Sequence, residues 1–464
     1  MNWNSEKKEK RIIHLKNIIL YFIMCVMFVF SVNTEINAKT VTGKNGKNLT
    51  WKIEDGVLTL SGKGAMKGCG HKGIKWNGDL ICSYEHKEDW WEDYQYEIIS
   101  VVIEEGVTDI APHAFSRLPN AKTITIPSSV KSIGHLAFDS SGFQKIIIPD
   151  SVISIENMAF CYCFNLESVQ LPKNIKIIPN SMFGTCKSLK EINIPQTVEI
   201  IGDYAFTYCG KLEKVNWEGK SKLQKIGREA FAVCNIKKLT IPASVKKIGI
   251  AGVSGTHAIQ VEKKNKNYKS KNGVLFSKDG KTLVCYPYKK KGSTYKIPKG
   301  VKTIGSYAFS SNDGWGDDNQ YMKKVIMPNS VTVVKKGAFY GAKKLKKVIF
   351  SKNLKKIEAD GFCCYLSSVK LPNSVEYIGE YAFKCEEMKG TIVIPKNVKT
   401  LGYDAFVNAH HVKKIIVKSK KLKKIDREIA FSRNKITIFL PKSMKEKYQK
   451  LFTKKKKNIK YVYQ

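Results

Sequence analysis

Four cysteines hold one fixed place in a repeating pattern: Cys163, Cys186, Cys209 and Cys234 each follow a phenylalanine by three residues. Two chemistries are open to such a column. Small side chains at one register position can fill a core as weakly polar hydrophobes. Thiols on neighbouring coils of an exported chain can instead be oxidised to disulfides. Of the 12 cysteines, Cys25 lies in the leader, so an odd number remains and at least one thiol stays unpaired. Cys161, Cys163 and Cys363-Cys364 make no metal-ligand spacing with any histidine. His410-His411 is the one adjacent histidine pair, and neighbours on a strand point apart. His113 and His135 sit at variable positions, where solvent exposure is expected. Asp313, Asp317 and Asp318 lack the D-x-D-x-D-G pattern and distal Glu of a calcium loop. No Ser/His/Asp or Cys/His constellation, phosphate-binding Gly loop or H-E-x-x-H stands in a recognisable context. The expectation is a non-enzymatic chain without cofactor or metal.

The other chemistry is charge. The chain carries 80 basic and 40 acidic residues. Residues 39–210 hold 17 basic and 19 acidic, whereas residues 211–464 hold 58 and 18. A strongly positive half attracts polyanions. In an exported chain those would be anionic wall polymers, acidic glycans, mucins, membrane surfaces or extracellular DNA. The basic residues are 75 Lys against 5 Arg, which also fits a compositional bias. Lysine is a point charge, less suited than arginine to bidentate phosphate reading, so no specific nucleic-acid partner is expected.

The element that positions these groups is a repeat. LKEINIPQTVEIIGDYAFTYC (189–209) follows LESVQLPKNIKIIPNSMFGTC (166–186), and TIVIPKNVKTLGYDAF appears at 391–406. The shared pattern is L-x-x-I-x-I-P-x-x-V-x-x-I-G-x-x-A-F-x-x-C. Its phenylalanine falls at 115, 138, 160, 183, 206, 231, 309, 339, 362, 383, 406 and 431. A period near 23 lies in the leucine-rich-repeat range and predicts a solenoid. Ile192-Asn193-Ile194 reads as a short strand with two inward side chains and one outward. Pro195 suits a strand end, because it has no N–H for the ladder. Gly202 is expected at a turn that a Cβ would hinder. One such unit cannot bury its own apolar face, but stacked units share a core. The fold expected is an α/β solenoid, strand-rich and curved, with a parallel sheet on its concave face and a cap at each end. Thirteen or fourteen coils at about 4.7–4.9 Å each make a rod roughly 60–65 Å long.

The pattern I-P-x-S-V-x-x-I-G-x-x-A-F, at 126–138 (IPSSVKSIGHLAF) and 371–383 (LPNSVEYIGEYAF), resembles the BspA-like family of leucine-rich-repeat surface proteins. The resemblance covers about residues 101–441. It implies a secreted or surface-displayed scaffold that binds a host or neighbouring-cell protein or a glycan, with no chemistry of its own. It names no ligand.

Along the chain, residues 1–38 read as a signal peptide: Lys7, Lys8, Lys10, Arg11 and Lys16 precede an apolar run from Ile18 to Val32. That run is short for a bilayer span of about 20 residues, so no transmembrane span is expected once it is cleaved; an uncleaved anchor is the alternative. Residues 39–100 read as an N-terminal β cap with a hairpin at Asp55-Gly56. Trp90-Trp91, within the acidic stretch EHKEDWWEDYQYE (85–97), either pack on that cap or form an exposed patch. Residues 101–255 carry repeats, with Ile250-Ala251-Gly252 in place of the last A-F pair. Residues 256–296 form an irregular repeat bearing a hairpin at Lys278-Asp279-Gly280, which resembles a family insert. Residues 297–440 resume the repeat, with an insertion at 311–320. Residues 441–464 form a cap whose Met444, Tyr448, Leu451 and Phe452 share one helix face, followed by a basic tail.

Outward positions of the strands are the candidate ligand-binding residues. Lys324, Lys347 and Lys414 lie just before the first inward residue. Thr125, Gln170, Asn193, Asn216, Thr240 and Lys370 lie between the paired apolars, with Ile147, Ile326, Ile349, Val393 and Ile416 in the same row. Exposed apolars there suit a binding groove or serve as β-favouring filler. The function expected is protein or glycan adhesion through the concave sheet. The alternative is a structural envelope protein held on anionic wall polymers by its basic half.

Overall fold

A computed structural model describes residues 40–67, 73–76, 79–82, 92–310, 321–425, 435–451 and 459–464. Residues 1–38, read above as a signal peptide, Trp90-Trp91, the 311–320 insertion with its three aspartates, Phe431, Phe452 and the Lys454–Lys457 run lie outside them. The chain winds into a β-solenoid of about 15 stacked coils with little helix. The hairpins between the two runs of repeats supply strands to the stack, which lengthens it beyond the count of A-F pairs.

The coil around Phe206 shows how sequence becomes structure. Ile192 and Ile194 point inward from strand Glu191–Ile194, which pairs in parallel with Lys214–Trp217 residue for residue. We call this stack ladder A. The chain then turns at Pro195 and forms a second, two-residue strand, Ile200–Ile201. This pairs with Ile177–Ile178 on one side and Lys225–Ile226 on the other, giving ladder B. A third run follows without strand geometry. The N–H groups of Tyr204, Phe206 and Tyr208 donate to the carbonyls of Arg228, Ala230 and Ala232 in the next coil, at 2.7, 2.8 and 3.0 Å.

That third run explains the shortage of helix. In every described coil with a repeat phenylalanine, the residue two before the ring has positive φ, as at His113 (60°), Tyr204 (60°) and Asp404 (47°). The residue two after it often does too, as at Tyr208 (59°) and Asn408 (63°). A left-handed residue costs an L-amino acid roughly 1–2 kcal/mol. Two per coil cannot sit in an α-helix, and the bonds to the next coil hold them in place. Among the described residues, helix is confined to Lys445–Leu451, preceded by a 3-10 turn at Lys442–Met444, with one more such turn at Glu92–Tyr94.

Gly202 is needed for a different reason from the one expected. Its φ is not positive. A Cβ there would stand 2.7 Å from the backbone nitrogen of Asn180, so the constraint is the close approach of adjacent coils. The degenerate coil is also shifted by one residue. Phe231 N–H donates to the Gly252 carbonyl and Ala251 takes the positive φ, so Gly252-Val253 replaces the A-F pair.

The rings form two stacks. Phe115, Phe138, Phe160, Phe183, Phe206 and Phe231 lie nearly parallel with centroids 5.0–5.7 Å apart. Val253 ends that stack. Tyr286 opens the next one and leads, at spacings of 4.6–5.3 Å, through Phe309, Phe339, Phe362 and Phe383 to Phe406. Between them lies the hairpin insert, whose strand Val274–Ser277 is buried on both sides: Leu275 joins the first core, Val274 and Phe276 the second. Its turn at Lys278–Gly280 leads into Thr282–Cys285, which pairs in parallel with Thr303–Ile304 and so heads the second run of ladder B.

The N-terminal strands β1 (Val41–Asn45), β2 (Leu49–Glu54) and β3 (Val57–Gly62) form an antiparallel meander turned at Asp55-Gly56. β3 starts ladder A by pairing in parallel with Ser100–Ile103. At the other end Ile459–Tyr463 pairs with Ile436–Leu440, and the buried Tyr448 hydroxyl donates to the Ser419 carbonyl at 2.6 Å. Among the described residues, no helix is long and apolar enough to cross a membrane.

Candidate functional site

The cysteine column is interior. Cys163, Cys186, Cys209 and Cys234 are fully buried, and each thiol donates to the carbonyl of the repeat phenylalanine one coil back, at 3.1–3.2 Å. Ser141 makes the same bond to Phe115 at 2.6 Å. The column therefore satisfies a row of buried acceptors, which is why small polar-capable residues recur there. The nine cysteines from Cys161 to Cys385 are free thiols, all but Cys363 buried. Burial raises the four column thiols, Cys234 to about 12, and the Asp139 carboxylate adds to the rise at Cys161; at Cys385 burial is outweighed by hydrogen bonds with the Cys364 side chain and backbone, which lower it. Reactive thiols need the opposite shift to that of the column. His113 is buried and meets the half-buried His135 edge to face at 6.0 Å, contrary to the exposure expected of both. Both lie at the turn run, where adjacent coils press their side chains together.

The outward face of ladder A holds the predicted residues in register. Thr125, Gln170, Asn193 and Asn216 are exposed and Thr240 is half-buried. Asn193 lies opposite Asn216, whose amide donates to it at 2.8 Å; Ile147 lies opposite Gln170 and Thr240 opposite Gln260. Trp217 closes this stretch, its indole N–H donating to the Thr240 carbonyl at 2.7 Å. Beside the row, ion pairs tie coil to coil: Glu167 with Lys190 at 2.6 Å, Glu191 with Lys214 at 3.9 Å, Glu213 with Lys237 at 3.0 Å. The Lys190 ammonium holds the Glu167 carboxyl below its usual value. These charges wall a shallow depression of about 660 Å³ that opens where Gly210 has no side chain.

In the second half the same face changes character. Lys324 lies opposite Lys347, and Ile326 opposite Ile349, which is 41% exposed. Lys414 stands between Thr391 and Thr437, with its ammonium 4.4 Å from the Phe439 ring centre. Beyond the next coil, Val393, Ile416, Phe439 and Val462 form a second apolar row at the same strand position. Lys370 is exposed but lies in no strand. Its coil is the shortest, at 21 residues between rings, and ladder A is interrupted there. Sequence reasoning missed Gln260, Phe439 and Val462. The first falls in the degenerate coil, and the other two follow the last intact copy of the pattern.

A family model described as the BspA type leucine rich repeat region (6 copies) matches residues 93–213, 137–260, 199–279, 318–437 and 391–462. Among solved structures, the pneumococcal vaccine antigen PcpA gives a TM-score of 0.58 at 23% identity, covering 92% of this chain and 99% of that one. A leucine rich cell surface protein from Faecalibacterium prausnitzii A2-165 gives 0.50 at 22% identity, covering 91% and 95%. These likenesses establish the fold. No curated protein matches the sequence.

Proposed function

The chain belongs to the BspA-type leucine-rich-repeat family, and from that premise we propose that it is a secreted or cell-surface binding protein whose ligand docks on the outward face of ladder A. The observation that carries this reading is the register itself. Within each run of ladder A, side chains from successive coils stand in columns about 4.8 Å apart, so one extended partner can meet several of them at once. The rigid core beneath pre-positions those columns, which lowers the ordering cost of binding. Surface display is supported by the character of the relatives in structure, one a vaccine antigen and one a cell surface protein. A binding rather than catalytic role fits a fold built of repeated scaffold units.

A second reading has its own support. The excess of lysine in residues 211–464 favours retention on anionic wall polymers. Salt separates the two, because screening shortens from about 10 Å at 0.1 M to about 3 Å at 1 M. The test is an array of matrix proteins, neutral and acidic glycans and teichoic polymers, probed with the purified chain at both salt levels. Docking on the face predicts salt-resistant binding to one protein or glycan, lost in Asn193→Arg/Asn216→Arg or in Ile349→Asp. Binding to many polyanions that vanishes at high salt and ignores those substitutions would overturn it and leave charge retention standing.

A further inference from the structure

Where the chain turns from ladder A to ladder B, each coil carries two outward side chains three residues apart. In the coils of Phe309, Phe362 and Phe406 both are exposed lysines: Lys299 and Lys302, Lys352 and Lys355, Lys396 and Lys399. In the two coils between, those of Phe339 and Phe383, the same places hold Asn329 and Thr332, then Asn373 and Glu376. Backbone bonds fix these residues one above another. The N–H groups of Thr332, Lys355, Glu376 and Lys399 donate to the carbonyls of Lys302, Thr332, Lys355 and Glu376 at 2.8–2.9 Å. The outer places are tied as well: Asn329 Oδ1 accepts from the Lys352 N–H at 3.2 Å, and the Asn373 carbonyl from the Asn397 side-chain amide at 2.8 Å. The lysine pairs therefore recur every second coil, about 9.6 Å apart at about 4.8 Å per coil. Among the described residues, Glu376 is the acid that meets them, through Lys399 at 2.5 Å, and the other five lysines make no ion pair.

A compositional excess of lysine would fall on every coil, but over these five it falls on alternate ones. The coil after them, with Lys420 and Lys423, breaks the alternation and bounds the site. In the first half this edge has one such pair, Lys173 and Lys176, and Asp150 binds Lys173 at 3.1 Å. The partner that fits is extended, anionic at every second step and rich in hydroxyls between, where Asn329, Thr332 and Asn373 stand. A pyranose chain linked across its rings advances by about one coil step per sugar. Charged and uncharged sugars that alternate would lie in phase with the coils. A chain charged at every unit would be out of phase, and Glu376 would repel the charge at its own step. Lysine, a hydrated point charge, takes a carboxylate or a sulfate without needing bidentate geometry. We propose that the turn edge from Lys299 to Lys399 binds a linear acidic polysaccharide in which charged and uncharged sugars alternate. The edge lies apart from the outward face of ladder A, so its failure leaves docking on that face untouched. It differs from general charge retention in needing particular lysines and a particular spacing of anionic groups.

The experiment titrates the purified full chain with two alternating polymers: hyaluronan, which carries carboxylates, and a keratan sulfate sulfated on alternate sugars. Polygalacturonate, charged at every sugar, and polyphosphate are compared at equal charge concentration. Lys299→Gln/Lys352→Gln/Lys396→Gln should weaken binding of the alternating polymers at least tenfold. Lys336→Gln/Lys384→Gln/Lys450→Gln removes the same charge from exposed places off this edge and should change binding less than twofold. All six side chains are exposed, and circular dichroism checks that both variants are folded. Affinity should climb as hyaluronan grows from two sugars to six and then level off, because six reach all three lysine pairs. Lysine-dependent binding of either alternating polymer supports the proposal, and the tighter of the two identifies the anionic group. Equal losses in the two variants, or polygalacturonate or polyphosphate bound as tightly, overturn it and leave attraction by net charge. A chain that binds neither alternating polymer overturns it as well.

Discussion

The coils before and after the central hairpin share one interior and differ in their surface. Inward, the parts match: stacked rings, buried Ile and Val on ladder A, and a left-handed residue two before each ring. Outward, the first half shows Gln170, Asn193 and Asn216 beside Glu–Lys pairs, and the second shows Ile349, Ile416 and Phe439 beside Lys324 and Lys347, which face each other in register, and Lys414. The thiol three residues after the ring belongs to the first half; in the second, Ala342 and Ala409 stand there, and Cys385, two residues after its ring, makes the same bond to the Phe362 carbonyl at 3.0 Å. The interior must mate with the next coil on each side, so each inward choice constrains two neighbours. The outward choice is constrained only by exposed pairs such as Glu167–Lys190 and Asn193–Asn216, and so varies more freely.

Replacement of one ring should test the inward identity with the largest effect. Phe206→Ala and Phe383→Ala each remove a fully buried ring stacked on both sides, and each should cost about 3–5 kcal/mol in urea unfolding. A twofold difference between them would mean that the two cores are not equivalent. Next is Asp139, half-buried after its ring, with Oδ1 buried and without a hydrogen-bond partner and Oδ2 accepting from Ser140 at 2.9 Å. Burial raises its carboxyl to about 6. A folded value above the unfolded one means that the folded chain holds the proton more tightly, so stability falls as pH rises from about 4 to about 6. Asp139→Asn should therefore stabilise by about 1–3 kcal/mol above pH 7 and by nothing near pH 4. Thermal melts at the two pH values check both the sign and the window.

The thiol column gives a smaller effect. Cys209→Ser keeps a donor for the Phe183 carbonyl, as Ser141 already does for Phe115, and should change stability by less than about 1 kcal/mol. Cys209→Val cannot donate and overfills the site, and should cost about 1–3 kcal/mol. Smallest, and most direct for the surface, is a pair of threonine substitutions. Lys214→Thr loses an exposed ion pair and should destabilise by a few tenths of a kcal/mol. Lys347→Thr relieves a like-charge neighbour and should stabilise by a similar amount at low salt. Equal signs for the two would erase the contrast between the halves.

Much of the interior was legible because each inward position repeats one residue type. The ring, the I-x-I strand and the cysteine column announce themselves by spacing, and the outward rows follow from strand alternation. The left-handed turn residues were hidden, because His, Leu, Met, Ser, Tyr, Glu and Asp all occupy them. The signal was present in one coil, where Gly337 and Gly341 bracket Phe339 at φ 60° and 69°. The shift to Gly252-Val253 was missed because two small residues in a row, Ala251 and Gly252, offer either alignment. The role of Gly202 depends on where the coil below it lies, which no single repeat can show. The ion pairs of the first half were invisible for the same reason. They join residues about 23 apart, and only the stacking register brings them together.

The ladders have a mechanical corollary. Their hydrogen bonds run along the rod, and the first and last strands lie at its two ends. A pull between those ends loads every junction equally, in series, so the junctions open one at a time from the weakest. The ring stack is missing at Val253, and extension of a tethered molecule would begin there, lengthening the rod by a single coil while the rest stays wound.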